Sequence, residues 1–334
     1  MFESRFQSFD VQSDRVQAKP RLAALRAELR REKLDGFIVP RADEHQNEYV
    51  PKRAERLAWI TGFTGSAGTA VVLAEDAAIF IDGRYTLQAQ SEVDTELFAP
   101  VDITRTPPAA WLAEHVREGQ RIGYDPWVHT PGQADSLRDK LTSKGAELVA
   151  VAENPIDRIW NDRPDPPRGA ITMYPERLAG ESAADKLARV RGTLANTDAM
   201  LVSDPSALAW AFNIRGGDVA HTPLPLGYAL VPREGRPTLY VDSGKLSNSV
   251  RARLSELAHI EEPARLAEDV AGKSAGKKIR FDAASAPAKL VELVRGNGGT
   301  PEIGTDPIAL MKARKNAREL AGVKAAHLRD GVAL

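Results

Sequence analysis

Leu34-Asp35-Gly36-Phe37-Ile38-Val39 returns as Thr197-Asp198-Ala199-Met200-Leu201-Val202, 163 residues later. The recurrence decides the fold because it does not stand alone. Leu57-Ala58-Trp59 is matched by Leu208-Ala209-Trp210, and Phe80-Ile81-Asp82 by Tyr240-Val241-Asp242. Ile122-Gly123-Tyr124-Asp125 is matched by Ile279-Arg280-Phe281-Asp282, and Asn154-Pro155-Ile156 by Asp306-Pro307-Ile308. The offsets are 163, 151, 160, 157 and 152 residues. Each match is short, but five in one order at nearly one offset read as two copies of one α/β lobe. The residues after Pro307 are read as a third unit.

The offset falls from 163 to 151 between the first two matches, so the first copy carries 12 extra residues there. They lie in Arg41–Arg56, which contains Asp43, Glu44, His45, Glu48, Tyr49, Lys52, Arg53 and Glu55. An insertion dense in titratable groups just after a buried strand is where an α/β domain carries its function. A solvated surface loop is the plain alternative.

A chain of 334 residues accommodates two domains and part of a third. Hydrophobic residues at 43% and charged residues at 27% describe an ordinary soluble globular protein with material for two cores. A net charge of −1, with no basic stripe, gives no electrostatic reason to expect nucleic acid or an anionic membrane as partner. With no cysteine there is no disulfide, thiol nucleophile or thiolate metal site, which fits a reducing compartment. Met1–Asp10 lacks the apolar core of a signal peptide, and no apolar run approaches the ~18–20 residues that span a bilayer.

Pro20 marks the opening of a helix with Leu22, Leu25 and Leu29 on one stripe, ending near Lys33. Gly36–Val39 comes next as a strand too apolar to alternate, as expected where both faces are covered. Leu57–Trp59 starts a helix or strand before the turn-rich Gly62–Gly68. Thr69–Leu73 and Ala77–Ile81 read as paired strands, Ile122–Tyr124 as a short strand, and Arg84–Val93 and Gln133–Lys144 as helices. Pro164, Pro166 and Pro167 stiffen the segment between the copies. The second copy opens with a helix over Ala183–Leu194. Strands alternating with helices, with hairpins among them, predict α/β or α+β lobes with mixed sheets, and α/β is the expected class. Domains are expected at 1–158 and 169–308, joined by a Pro-rich linker at 159–168, with 309–334 opening a further unit. In that last stretch Leu320, Val323, Leu328 and Val332 are candidate core positions, and the uncapped end Gly331-Val332-Ala333-Leu334 reads as a chain cut short.

Six histidines, His45, His115, His129, His221, His259 and His327, include no pair at the i, i+4 spacing of a helical zinc motif. Asp43, His45 and Glu48 lie near one another, but three ligands from one loop need a fourth from elsewhere, so the loop reads as hydrogen-bonded and metal-free. Gly62-Phe63-Thr64-Gly65-Ser66-Ala67-Gly68 lacks the Lys-Ser/Thr pair of a phosphate loop and the spacing of a dinucleotide fingerprint. It reads as close backbone packing before a strand, and Ser66 lacks the flanks of a nucleophile elbow. Arg215-Gly216-Gly217-Asp218 reads as a tight turn. Asp82-Gly83-Arg84-Tyr85 leaves Arg84 at a helix N-terminus, a poor place for a cation, so a carboxylate partner is expected from a ligand or from the acidic insertion.

Asp43-Glu44-His45-Gln46-Asn47-Glu48-Tyr49, the Gly62–Gly68 stretch with Thr69-Ala70, Asp82-Gly83-Arg84-Tyr85, Ile159-Trp160-Asn161-Asp162-Arg163-Pro164 and Asn213-Ile214-Arg215-Gly216-Gly217-Asp218-Val219 occur in one order. Together they resemble the creatinase/prolidase family, in its cytosolic three-domain Xaa-Pro aminopeptidase (aminopeptidase P) branch. Lys315-Asn316, Glu319-Leu320 and Ala326-His327-Leu328-Arg329-Asp330-Gly331 resemble the first helix of that family's catalytic pita-bread domain. The resemblance covers essentially the whole chain.

The resemblance implies two tandem creatinase N-terminal-like lobes, each a mixed β-sheet flanked by helices, ahead of a truncated catalytic domain at 309–334. It implies a metallo-exopeptidase that releases the N-terminal residue preceding proline, using two manganese ions held by Asp, Asp, His, Glu and Glu in that missing domain. No catalytic residue, metal ligand or bound cofactor is therefore expected in this chain, which alone is expected to be inactive. The two lobes are implied to shape substrate access and assembly in a cytoplasmic homodimer whose substrates are peptides with proline at the second position. On the family pattern Glu48 lies near the peptide's free amine, with Arg84, His45 and Asp43 on the same substrate-binding side. Asn47 stands where serine is common, leaving Glu48 and Tyr49 in register. Two other readings are a non-catalytic peptide- or protein-binding module of peptidase ancestry and a creatinase-like enzyme for a small amidino compound. Retained Glu48 and Arg84 weigh against the first, and the tandem lobe against the second.

Overall fold

A computed structural model describes residues 13–334, so the signal-peptide reading of Met1–Asp10 falls outside the described residues. The first copy opens with α1 (Ala18–Arg31), β1 (Gly36–Pro40), α2 (Arg56–Thr61), β2 (Thr69–Leu73), β3 (Ala77–Ile81) and α3 (Thr86–Glu92). It continues with β4 (Ala99–Asp102), α4 (Pro108–His115), β5 (Arg121–Tyr124), α5 (Pro131–Thr142), β6 (Glu147–Ala150) and α6 (Pro155–Ile159). Its six strands form one sheet in the order β4-β3-β2-β1-β5-β6. β1 runs antiparallel to β2 and parallel to β5, so the sheet is mixed.

The second copy begins with β7 (Thr172–Met173), α7 (Glu176–Ala179), α8 (Ala183–Gly192), β8 (Ala199–Val202), α9 (Pro205–Ala211) and β9 (Ile214–Arg215). It runs on through β10 (Tyr228–Pro232), β11 (Thr238–Tyr240), α10 (Asn248–Leu257), β12 (His259–Glu261) and α11 (Leu266–Gly272). Then come β13 (Lys278–Asp282), α12 (Ala288–Gly296), β14 (Thr300–Gly304), α13 (Pro307–Ala313) and α14 (Ala317–Ala333). Its main sheet is ordered β12-β11-β10-β8-β13-β14, and β7 pairs with β9 in a small ribbon. Again the inner strand β8 is antiparallel to one neighbour, β10, and parallel to the other, β13. The two sheets share one topology, and the strands predicted as equivalents, β1 and β8, hold equivalent places.

Local sequence explains the elements. On α1, Leu22, Leu25 and Leu29 are buried, and the helix ends where Lys33 takes a left-handed φ of 58°. The helix begins at Ala18 rather than at Pro20. Proline is tolerated in a first turn, where the backbone N–H has no partner within the helix. Asn154 caps α6 and Asp306 caps α13, each accepting from the backbone two residues on and each followed by proline at the first helical position. These caps are the last of the five matched segments, and Ile156 and Ile308 behind them are fully buried.

Grouped by internal contacts, the chain forms two compact units. One holds residues 13–41 with Lys52–Asp125 and Asp135–Pro164, and the other holds Ala42–Pro51, Pro126–Ala134 and Asp165–Leu334. The insertion therefore groups with the second unit, which a contiguous division at 158 does not anticipate. Helix α13 also straddles the expected boundary at 308, because Ile308 belongs to the second core. Beyond it, Asn316 and Glu319 form a capping box that starts α14 as a helix separate from α13. The expected core positions Leu320, Val323, Leu328 and Val332 are exposed, and no residue of α14 is buried. The helix is tethered at its start, where Asn316 Nδ2 donates to the carbonyl of Ala179, 2.8 Å away.

The copies differ in how tightly the inner strand is packed at its start. Gly36 opens β1, and a Cβ there would come within 2.5 Å of Leu73 Cδ2 and 2.8 Å of the Val72 carbonyl. The matched residue of β8 is Ala199, which carries that Cβ. Gly36→Ala is expected to cost about 1–3 kcal/mol in urea unfolding through overpacking. A midpoint unchanged from the parent would mean that β1 shifts freely against β2.

Candidate functional site

The insertion loop is built around a buried carboxylate. Asp43 is fully buried and accepts hydrogen bonds from His45 N at 3.0 Å, Asn47 N at 2.9 Å and Asn47 Nδ2 at 2.8 Å. Gln46 N donates to the Asp43 carbonyl, and Gln46 takes a left-handed φ of 59°. Asp and Asn bond their own backbone in this way when they close tight turns. The turn leaves Glu48 and Tyr49 exposed, with Val50 buried behind them.

Within the second unit the loop sits on the adjoining ends of β8 and β10. His45 is buried, and its Nδ1 donates to the carbonyl of Ser203, the residue after β8, at 2.9 Å. The imidazole stacks on Tyr228, the first residue of β10, with ring centroids 4.4 Å apart. The Tyr228 hydroxyl donates to the Glu44 carbonyl at 2.7 Å. Burial, reinforced by the charges of Glu44 and Asp43, pushes the Tyr228 phenol well above its ordinary pKa, so it remains a donor.

A polar chain continues beneath this seat. Ser203 Oγ lies 2.8 Å from Ser285 Oγ, which donates to Asp282 Oδ2 at 2.7 Å. Asp282 Oδ1 accepts from Asp306 N at 3.1 Å. Burial pushes the Asp306 carboxyl up to about 6, against the hydrogen bond from Ile308 N and with the charges of Asp282 and Asp204 adding to the rise. Asp204 goes the other way: burial would raise it, but hydrogen bonds from Ser206 and the nearby Lys312 ammonium hold it below the usual carboxylate range.

Of the predicted substrate-side residues, Asp43 and His45 are interior parts of the loop's architecture, while Glu48 and Arg84 are exposed. The carboxylate partner expected for Arg84 includes its own N-cap, Asp82. Asp82 accepts from Arg84 N at 2.9 Å and forms an ion pair with Arg84 Nη2 at 2.6 Å. In the Gly62–Gly68 stretch the Thr64 N–H and hydroxyl are both taken by the buried carboxylate of Glu92, each at 2.8 Å, rather than held for an anion. Asp218 of the Arg215–Asp218 stretch is likewise internal, paired with the buried Lys245 at 2.7 Å. Among the described residues no group of three or more His, Cys, Asp or Glu side chains is placed to hold a metal ion. No helix of the described residues is long and apolar enough to cross a membrane.

Sequence reasoning missed Tyr228, Ser203 and Ser285, which lie about 160–240 residues from the loop and carry no motif. Asp306 was within reach, since the repeat sets it against Asn154.

Residues 21–159 match the creatinase/prolidase N-terminal domain family, and residues 162–319 match a second family of the same description. The chain therefore belongs to the creatinase/prolidase N-terminal domain family and carries two such domains in tandem. It is 35% identical over 343 residues to a probable Xaa-Pro aminopeptidase P of Aspergillus clavatus, covering 98% of this chain and 51% of that protein. A protein of the same description from Aspergillus niger is 36% identical over 336 residues, covering 96% of this chain and 54% of its own length. The chain thus spans about half the length of these relatives. In fold it is similar to the crystal structure of X-prolyl aminopeptidase from Caenorhabditis elegans, described as a cytosolic enzyme with a di-nuclear active site. The TM-score is 0.87 at 23% identity, over 94% of this chain and 54% of that one.

Asn154 and Asp306 hold matched caps but differ in charge. In the first copy Asn154 Nδ2 donates to Asp125 at 2.9 Å, whereas the second copy sets a carboxyl against Asp282. An acid whose folded pKa of about 6 exceeds its unfolded value of 3.8 stabilises the fold fully below pH 4 and loses that contribution as the pH rises through 6. Asp306→Asn removes the titration while keeping a competent cap. It is expected to unfold at higher urea than the parent at pH 7.5, by roughly 2–3 kcal/mol, with most of that margin gone at pH 4. An equal margin at both pH values would show that Asp306 does not hold a raised pKa.

Proposed function

We propose that this chain forms the two N-terminal domains of a metal-dependent Xaa-Pro aminopeptidase, a cytoplasmic homodimer that releases the N-terminal residue preceding proline. The observation that carries the reading is the extent of the likeness: relatives named for that activity match along 96–98% of the chain at 35–36% identity. The insertion loop supports it, being a shaped turn with an interior Asp43 and His45 and an exposed carboxylate, Glu48.

In this reading the metal ions, manganese by the family pattern, belong to the further domain of the full-length protein, and no role of this chain's residues runs through them. The Glu48 carboxylate accepts a hydrogen bond from the protonated amine of the peptide. Such a charge-assisted bond is worth roughly 1.5–3 kcal/mol. Arg84 is oriented by its own N-cap, Asp82. Asp43 and His45 act by holding the loop and touch no substrate.

In the full-length protein, Glu48→Ala is expected to lower kcat/KM for an Xaa-Pro peptide by about ten- to a hundred-fold if the bond is made in the transition state. The rate is normalised to folded protein and read beside a melting curve. Unaltered turnover with a lowered melting point would reduce Glu48 to scaffolding. The 334-residue chain alone is expected to show no Xaa-Pro cleavage and no tight stoichiometric manganese binding, and calorimetric titration with a peptide assay checks both.

A further inference from the structure

We infer that Tyr228 is the positioning residue that sets where Glu48 stands, an inference that rests on the substrate-contact reading of Glu48. The loop has two separate requirements, a shape and a place. Asp43 supplies the shape, because its carboxylate collects N–H groups from His45 and Asn47 within the loop itself. A turn closed on itself still has no fixed position. Its place comes from groups outside it, on the neighbouring ends of β8 and β10.

Ser203 and Tyr228 are brought together by the antiparallel pairing of those strands, in which Val202 faces Ala229. Ser203 contributes a backbone carbonyl to His45 Nδ1, which no substitution of its side chain removes. Tyr228 contributes twice through its side chain. Its ring face carries the His45 imidazole, and its hydroxyl holds the Glu44 carbonyl at 2.7 Å. The two grips fall on consecutive residues of the loop, so together they fix both its position and its orientation. Glu48 lies four residues beyond Glu44, one turn-length past the clasp. Tyr228 is itself rigidly placed, being 6% exposed and at the start of a strand paired on both sides. Its raised pKa keeps the proton needed for the Glu44 bond across the physiological range.

The test pairs loop exchange with a double-mutant cycle. Tyr228→Phe keeps the ring and removes the hydroxyl, while Tyr228→Leu removes both grips. In the 334-residue chain, amide hydrogen exchange at Glu44–Tyr49 is expected to rise about three- to ten-fold in Tyr228→Phe, and further in Tyr228→Leu. In the full-length protein Tyr228→Phe is expected to lower kcat/KM by a similar factor, yet by less than two-fold when Glu48 is already alanine. Exchange unchanged in Tyr228→Phe and Tyr228→Leu, with both variants folded by circular dichroism, overturns the clasp whatever the activity does. A full multiplicative loss in the Glu48→Ala background overturns the claim that Tyr228 acts through Glu48. A flat Glu48→Ala result with raised exchange is distinguishable from both. It defeats the substrate-contact reading, and with it the positioning role, and leaves a structural clasp.

Discussion

β1 and β8 each have both hydrogen-bonding edges occupied, antiparallel on one side and parallel on the other. All residues of β8 and all but Pro40 of β1 are buried. A strand so enclosed offers nothing along its length, and only the chain leaving its end is available for other work. In α/β sheets the carboxyl ends of inner strands are where functional loops gather. Here the insertion comes directly after β1, and Ser203 directly after β8. The polar apparatus of the second unit grows from that second exit.

The apparatus is economical in its chemistry. Buried polar groups are tolerated when each has a partner, and the loop meets that condition partly within its own turn and partly on β8 and β10. Asp43 is satisfied by N–H groups of its own turn, His45 by a carbonyl, and Tyr228 by another. The same rule accounts for the Gly62–Gly68 and Arg215–Asp218 stretches. In these stretches Thr64 is engaged by Glu92 and Asp218 by Lys245, contacts that serve the fold.

Duplication has left the copies alike in topology and unlike in detail. The sheet orders correspond strand for strand. Among the differences are a glycine in β1 where β8 has alanine, an amide at Asn154 where the second copy has the acid Asp306, the insertion in the first copy, and the β7–β9 ribbon with α7 in the second. The amide-to-acid change lies at a helix cap and the insertion at a strand exit, outside the apolar runs that build the sheets. Such positions accept variation because the apolar pattern that specifies the sheet does not pass through them.

The fold was largely legible from residue order. Apolar runs such as Gly36–Val39 and Ala77–Ile81 specify buried strands because their hydrophobicity is continuous, and their recurrence implies a second lobe whatever the tertiary details. The insertion loop stood out in the sequence too, since Asp43, His45 and Glu48 lie within one short, unusual stretch. What sequence alone did not decide was the division of labour among them. Whether a carboxylate is buried under its own turn or exposed on it depends on a backbone reversal at Gln46 and on a seat formed by Ser203 and Tyr228. Those residues come from more than 150 positions away and meet the loop only because strand pairing brings β8 and β10 side by side. Contacts of that range leave no periodicity and no motif in a single chain, so the tertiary structure alone decides them.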